Sequence, residues 1–203
     1  MANEDLGPAK RRKRTPEAAR LEALAAARAL LLEGGPNAVT LKAVGEAIGM
    51  SHANVIHHFG SAAGLQSALM GAMVRDLADA LTEAVDHVRS DDAAFRRLVD
   101  MVFDAFSQGG AGYLAAWIAL SGDLSQLDPV RETVRSLVLA IKDKFADLAD
   151  DETAVERITS VVLFIALSAF GDAVIGAPLR GMLGRAPDAT RAIVAQLLPS
   201  FLV

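Results

Sequence analysis

A chain of 203 residues without cysteine has no disulfide and no thiolate metal site; the length suits one large domain or a small one plus a larger one, and 52% hydrophobic content is enough to bury a sizeable core. Only 5% of residues are aromatic, and Ala and Leu dominate, a mix that favours helix over strand. The net charge of −5 argues against a polyanionic partner for the chain as a whole, but residues 1–60 carry eight basic against six acidic side chains and the remainder twelve against nineteen, which places any nucleic-acid contact at the N-terminus.

Residues 1–15 are polar, basic and aperiodic, lack the apolar stretch of a signal peptide, and read as a flexible arm carrying Lys10, Arg11, Arg12, Lys13 and Arg14. Pro16 and Glu17 suit the first turn of a helix with Leu21, Leu24, Leu31 and Leu32 on one face, stopped by Gly34, Gly35 and Pro36. Thr40 caps a short helix to about Ala47, with Leu41, Val44 and Ile48 inward. Gly49 stands where a tight turn needs positive φ. Ser51 caps a second short helix to about His57, and Ser61 a long one to about Arg89 with Leu65, Leu69, Met73, Leu77, Leu81, Val85 and Val88 in its stripe.

Asp91 and Asp92 open a fifth helix, lined by Phe95, Leu98, Val99, Val102, Phe103 and Phe106 and broken by Gly109, Gly110 and Gly112. A short apolar helix spans 113–120, a loop 122–129, and a seventh helix runs from Val130 to about Leu148. Asp150 or Asp151 opens an apolar helix ending near Gly176; after a Gly/Pro loop a last helix from about Asp188 carries Ile193, Leu197, Leu198 and Phe201. The fold class is all-α, with nine helices and no strand. Residues 158–177 hold one charge, Asp172, over nearly a bilayer's width, but Thr159, Ser160, Ser168, Gly171 and Gly176 and the lack of a flanking Lys/Arg cluster favour a buried helix and no membrane.

Two short helices joined by a glycine turn, Thr40 to His57, have helix-turn-helix spacing. A helix starting at Ser51 presents its first residues to base edges in a major groove: His52 and Asn54 as hydrogen-bonding groups, Ala53 against a thymine methyl, with Val55 and Phe59 turned inward. The bland alternatives stay open, since short helices are common, this helix has no Lys or Arg, and a basic run is often a solvated tail. His57 and His58 point about 100° apart on a helix and make a poor metal pair, so no metal and no cofactor are expected.

The stretch GGPNAVTLKAVGEAIGMSHANVIHHFGSAAGLQSALM, residues 34–70, resembles the tetracycline-repressor (TetR) family of bacterial regulators. Its hallmarks are Gly34, Thr40, Ala47, Gly49, Ser51, the His57-His58-Phe59 signature, Ser61 and Leu65, and the nine-helix layout extends the likeness over nearly the whole chain. The resemblance implies a DNA-binding domain over residues 16–66 and a ligand-binding and dimerisation domain over 67–203. It implies a cytoplasmic homodimeric regulator on double-stranded, near-palindromic DNA, a repressor released by a largely apolar small molecule. Thr40, Ser51 and His57 would meet phosphates, which fix register without reading sequence. Two departures weaken the anchoring: Ile56 stands where the family commonly has Tyr, and Ala62 where it has Lys. The arm is the candidate replacement, along phosphates or in a narrow minor groove.

The resemblance also implies an effector cavity, for which Met73, Phe103, Phe106, Tyr113, Trp117, Phe145, Phe164 and Asp172 are candidate lining residues, plain core packing being the alternative for each. The last two long helices are expected to pair with a second copy, with Ala166, Ala169, Ala173 and Gly176 permitting close approach and Ile193, Leu197 and Phe201 adding apolar area. No catalytic set is expected, because no phosphate-binding glycine loop, HExxH or nucleophile elbow occurs, and the paired Asp residues suit helix starts. The rival readings are an all-helical enzyme, marked by turnover of a bound compound, and an architectural DNA-binding factor without a ligand.

Overall fold

The computed structural model describes residues 15–85, 94–144 and 151–201. The arm with Lys10, Arg11, Arg12, Lys13 and Arg14, and likewise Val88, Asp91, Asp92, Phe145 and Asp150, lie outside the described residues. Among the described residues the chain forms ten α-helical segments and no strand. Two of the ten are halves of one rod, so the segments stack as nine rods, as the periodicity predicts.

Local signals set the first four. Helix α1 (Pro16–Gly34) starts where the Thr15 hydroxyl accepts from the Ala18 N–H at 3.2 Å and stops at Gly35, with φ 71°. Thr40 caps α2 (Leu41–Ile48) by accepting from the Ala43 N–H, and Gly49 closes it in the left-handed region at φ 63°. Ser51 caps α3 (His52–Phe59), two residues longer than the sequence suggests, by accepting from the Asn54 N–H. The Ser61 hydroxyl accepts from the Gly64 N–H at 3.0 Å, at the start of α4 (Ala62–Val85). Then come α5 (Ala94–Ser107), α6 (Ala111–Ser121), α7 (Asp128–Lys144), α8 (Asp151–Gly171), α9 (Ala177–Met182) and α10 (Ala189–Leu197).

The helices enclose two hydrophobic cores. In the first, Ala23, Ala27 and Leu31 of α1, Val44, Val55 and Phe59 meet Leu65, Leu69, Met70 and Met73 of α4, together with Ala111, Leu114 and Ile118 of α6. In the second, Ala78 and Leu81 of α4 meet Val99, Val102 and Phe103 of α5, Leu137 of α7, Ile165 and Ala169 of α8, and Val194 and Leu198. A polar clamp on α5 holds α10. Arg191 pairs with Asp100 at 3.5 Å and Asp104 at 2.7 Å, its guanidinium 5.5 Å from the Phe103 ring centre. Arg96 binds Asp100 through Nε at 3.1 Å and Asp188 at 3.5 Å; the Asp100 hydrogen bond raises its pKa.

Four expectations are corrected. Leu21 and Leu32 do not share the inner face of α1: they are 67% and 54% exposed, and small Ala19, Ala23 and Ala27 take the buried centre because α1 packs closely. Gly112 does not break a helix but lies within α6, where an added Cβ would sit 2.7 Å from the Ala173 Cβ and 2.9 Å from the Phe106 carbonyl oxygen. The stripe Ala166, Ala169, Ala173 and Gly176 does not form an outward seam: Ala169 is in the second core, Ala173 is pressed against Gly112, and Gly176 is buried. Finally, the apolar helix does not end near Gly176. It continues through a π turn, Asp172–Gly176, into α9 up to Met182. Pro178 has no N–H to donate and its ring crowds the preceding turn, and the wider π turn just before it relieves both.

The rod Thr153–Met182 is long and apolar enough, by length and composition, to cross a membrane. Its outer side leaves Leu163, Leu167, Val174, Ile175, Leu179 and Met182 exposed, beside Ile193 and Leu197 of α10.

The contact at Gly112 yields a test of the packing of α6 on α8. Gly112→Ala is expected to lower stability by about 1–3 kcal/mol in urea unfolding, because neither the Ala173 Cβ nor a helix carbonyl can yield without moving backbone. Gly122→Ala loses no space, since nothing lies within 4 Å of its added Cβ, and probes only the strain of φ 78°.

Candidate nucleic-acid interface and inner cavity

Helices α2 and α3 lock together through apolar contact at a close approach. A Cβ on Gly45 would lie 2.8 Å from the Met50 carbonyl oxygen and 3.4 Å from the Val55 Cγ2, so only glycine lets the turn fold back on α2. Val55 is fully buried and Phe59 is 8% exposed, which fixes α3 by its inner face. The opposite face then points outward as a set: Ser51, His52, Ala53, Asn54, Ile56 and His57 are all exposed, and so is Thr40 at the start of α2. The structure therefore brings together every base-edge and phosphate candidate on α2 and α3.

Arg20 of α1 secures the far end of this unit. Its guanidinium lies 4.6 Å from the Phe59 ring centre and donates to the His58 carbonyl oxygen at 2.6 Å. The spacing of α1 and α3 in sequence gave no sign of this contact. His57 and His58 sit edge to face with ring centres 5.9 Å apart. Among the described residues no group of three metal-ligating side chains occurs.

A cavity of about 330 Å³ opens inside the C-terminal helices, between α4, α5, α7 and α8. Its wall is formed by Val74, Leu77, Ala78, Leu81 and Val85; Phe95, Leu98, Val102 and Phe106; Val130, Val134, Leu137 and Ile141; and the α8 run from Ala154 to Ala166, with Leu198. A smaller one, about 140 Å³, lies where α4 meets α1 and α6, bounded by Arg28, Met70, Met73, Ala111 and Ala115 among others. Val74, Leu77, Phe106 and Val130 belong to both walls.

Of the candidate lining residues, Phe106 reaches the large cavity and Met73 the small one. The other described candidates stand elsewhere. Phe103 is 1% exposed in the second core, and Phe164 stacks on Phe201 at 5.0 Å. Tyr113 and Trp117 are 54% and 40% exposed on the outer side of α6, because Ala111, Leu114 and Ile118 hold its inner side. Asp172 forms an ion pair with Arg180, which also donates to the Thr190 hydroxyl at 3.2 Å. Arg157, absent from the sequence-based candidates, is on the wall. It could have been found from its place in the i, i+3, i+4 run Ala154, Ile158, Val161, Ile165.

The inner and outer faces of α3 differ in what they cost when cut back. Phe59→Ala is expected to destabilise the fold by about 3–5 kcal/mol, whereas Ile56→Ala, at a side chain 40% exposed, stays within about 1 kcal/mol. Thermal unfolding of both variants followed by circular dichroism measures the contrast.

The model of the family described as "Bacterial regulatory proteins, tetR family" matches residues 23–69, from the middle of α1 to the first half of α4. The chain is also similar in structure to a TetR-family transcriptional regulator from Pectobacterium atrosepticum, at 20% sequence identity and a TM-score of 0.63, over 93% of this chain and 96% of that one. No curated protein sequence matches. The family match falls on the helix-turn-helix, and the chain as a whole shares the fold of that regulator.

Proposed function

We propose that the chain is a homodimeric repressor that holds a near-palindromic operator and leaves it when a small, largely apolar molecule fills the inner cavity. The observation that carries this reading is the unbroken course of α4, whose first half is built into the core of the helix-turn-helix and whose second half walls the cavity. A molecule that binds one tilt of α4 better than another shifts the reading helices, and it shifts them only by its difference in affinity between the two states.

In this reading residues 16–66 are the DNA-binding domain, residues 67–203 bind ligand and partner, and residues 1–15 are an arm. His52, Ala53 and Asn54 meet base edges; Thr40, Ser51 and His57 meet phosphates. The arm residues Lys10, Arg11, Arg12, Lys13 and Arg14 supply the charge that α3 lacks and compensate for Ile56 and Ala62. The exposed apolar side of α8, α9 and α10 supports pairing with a second copy, and a two-fold pair sets two α3 helices about 34–36 Å apart, one DNA turn. A second copy covers that face better than lipid does, because the same rod carries the Asp172–Arg180 pair and walls a ligand cavity. The cytoplasm, where the DNA is, is the corresponding location, and the reading assigns the cavity to binding without turnover.

Selection of bound sequences from random DNA tests the reading: an enriched, two-fold symmetric site is expected, and a footprint without symmetry contradicts the dimer geometry. On that site Asn54→Ala is expected to cost about 1–3 kcal/mol at one base-pair position and to leave discrimination elsewhere intact. Removing residues 1–14 should flatten the slope of log affinity against log salt by nearly one unit for each phosphate the arm contacts. An unchanged slope means the arm is only a solvated tail.

A further inference from the structure

We propose that the inner cavity takes an amphiphilic carboxylate, a single chain-like apolar body whose head group is bound by Arg157; this rests on reading the cavity as the effector site. Every other side chain on the wall is aliphatic or phenyl, so Arg157 is the only charged lining residue among those described. The remaining half-buried arginines of this half of the molecule are each satisfied: Arg96 by Asp100 and Asp188, Arg180 by Asp172 and Thr190, Arg191 by Asp100 and Asp104. Arg157 is half-buried and makes no hydrogen bond or ion pair with any described residue. A guanidinium keeps its charge at any relevant pH and presents a planar fork that matches the two oxygens of a carboxylate. Leaving such a group unpaired beside an apolar wall is costly, and a neutral ligand that displaces water from it would raise that cost.

The shape of the cavity indicates the rest of the molecule. Arg157 lies near the start of the wall's α8 stretch, three residues after Ala154, whereas Val74 and Phe106 also line the smaller cavity. Along α4 from Val85 to Val74 the helix rise gives about 16 Å. A cavity of about 330 Å³ walled by aliphatic and phenyl side chains along that length suits one extended apolar chain. The tail would then run toward Val74, Leu77, Phe106 and Val130, the residues shared with the smaller cavity.

Titration calorimetry of the full chain with decanoate and, separately, with decan-1-ol tests the assignment. Decanoate is expected to bind about ten- to a hundredfold more tightly than the alcohol. Arg157→Gln should remove that preference while leaving decanol affinity unchanged, and Arg157→Lys should restore most of it. Equal binding of the two probes, a preference that survives in R157Q, or no binding of either overturns the proposal. Operator binding measured on the same samples keeps the two readings apart. If decanol releases DNA and decanoate does not, the effector reading stands and the carboxylate fails. If no DNA sequence is bound at all, the regulatory reading fails, and the calorimetry still decides whether Arg157 holds the acid.

Discussion

One helix belongs to two cores. Leu65, Leu69, Met70 and Met73 of α4 are buried with α1, α2, α3 and α6, while Ala78 and Leu81, little more than a turn further on, are buried with α5, α7 and α8. A regular hydrogen-bonded helix transmits a rotation along its axis with little loss, and no proline or bulge interrupts residues 62–85. Neither core can therefore repack without presenting a changed α4 to the other. Close-packed cores yield in discrete arrangements and not by smooth deformation, so a shared rod couples two sites without a dedicated hinge.

The surroundings of α4 add to this. Gly71 lies against Pro129 at the start of α7, where an added Cβ would be 3.1 Å from the proline ring, and Gly110 lies against Leu31 and Leu32 at the end of α1. The turn between α5 and α6 thus rests on α1, while α6 itself fills the first core from the side of the second. The exposed Arg28–Asp76 pair at 3.0 Å bridges α1 and α4 but is solvated on both sides and contributes little. Apolar contact at glycine-sized approaches holds the two halves together, and charge serves mainly to fasten α10 onto α5.

The parts legible in the sequence are those whose signals are local. Thr40, Gly49 and Ser51 each satisfy or relax a backbone group within three residues, so their positions alone located α2, the turn and α3. Helix count followed from apolar spacing for the same reason. Orientation was harder to read. In α1, alanines hold the centre of contact and two leucines face water, because axis separation and not residue size decides who is buried. Around α8 apolar residues occur on every side, so spacing does not tell an inner side from an outer seam: Ala166 lies on the cavity wall and Ala169 in the second core. Aromatic size is no guide either: Tyr113 and Trp117 face outward, whereas aliphatic side chains, Phe95, Phe106 and one arginine make the cavity.

The π turn at Asp172–Gly176 has a geometric consequence. Such a turn accommodates one residue more than an α turn, which retards the phase of everything after it by about a quarter revolution. In an uninterrupted α-helix, Leu179 and Met182 would drift well away from the azimuth of Leu163, Leu167 and Val174. With the retardation they swing back beneath them, and the bare aliphatic ridge runs straight from Leu163 to Met182. A single surplus amino acid, tolerated because Pro178 needs the room, thus acts as a vernier that realigns two half-helices.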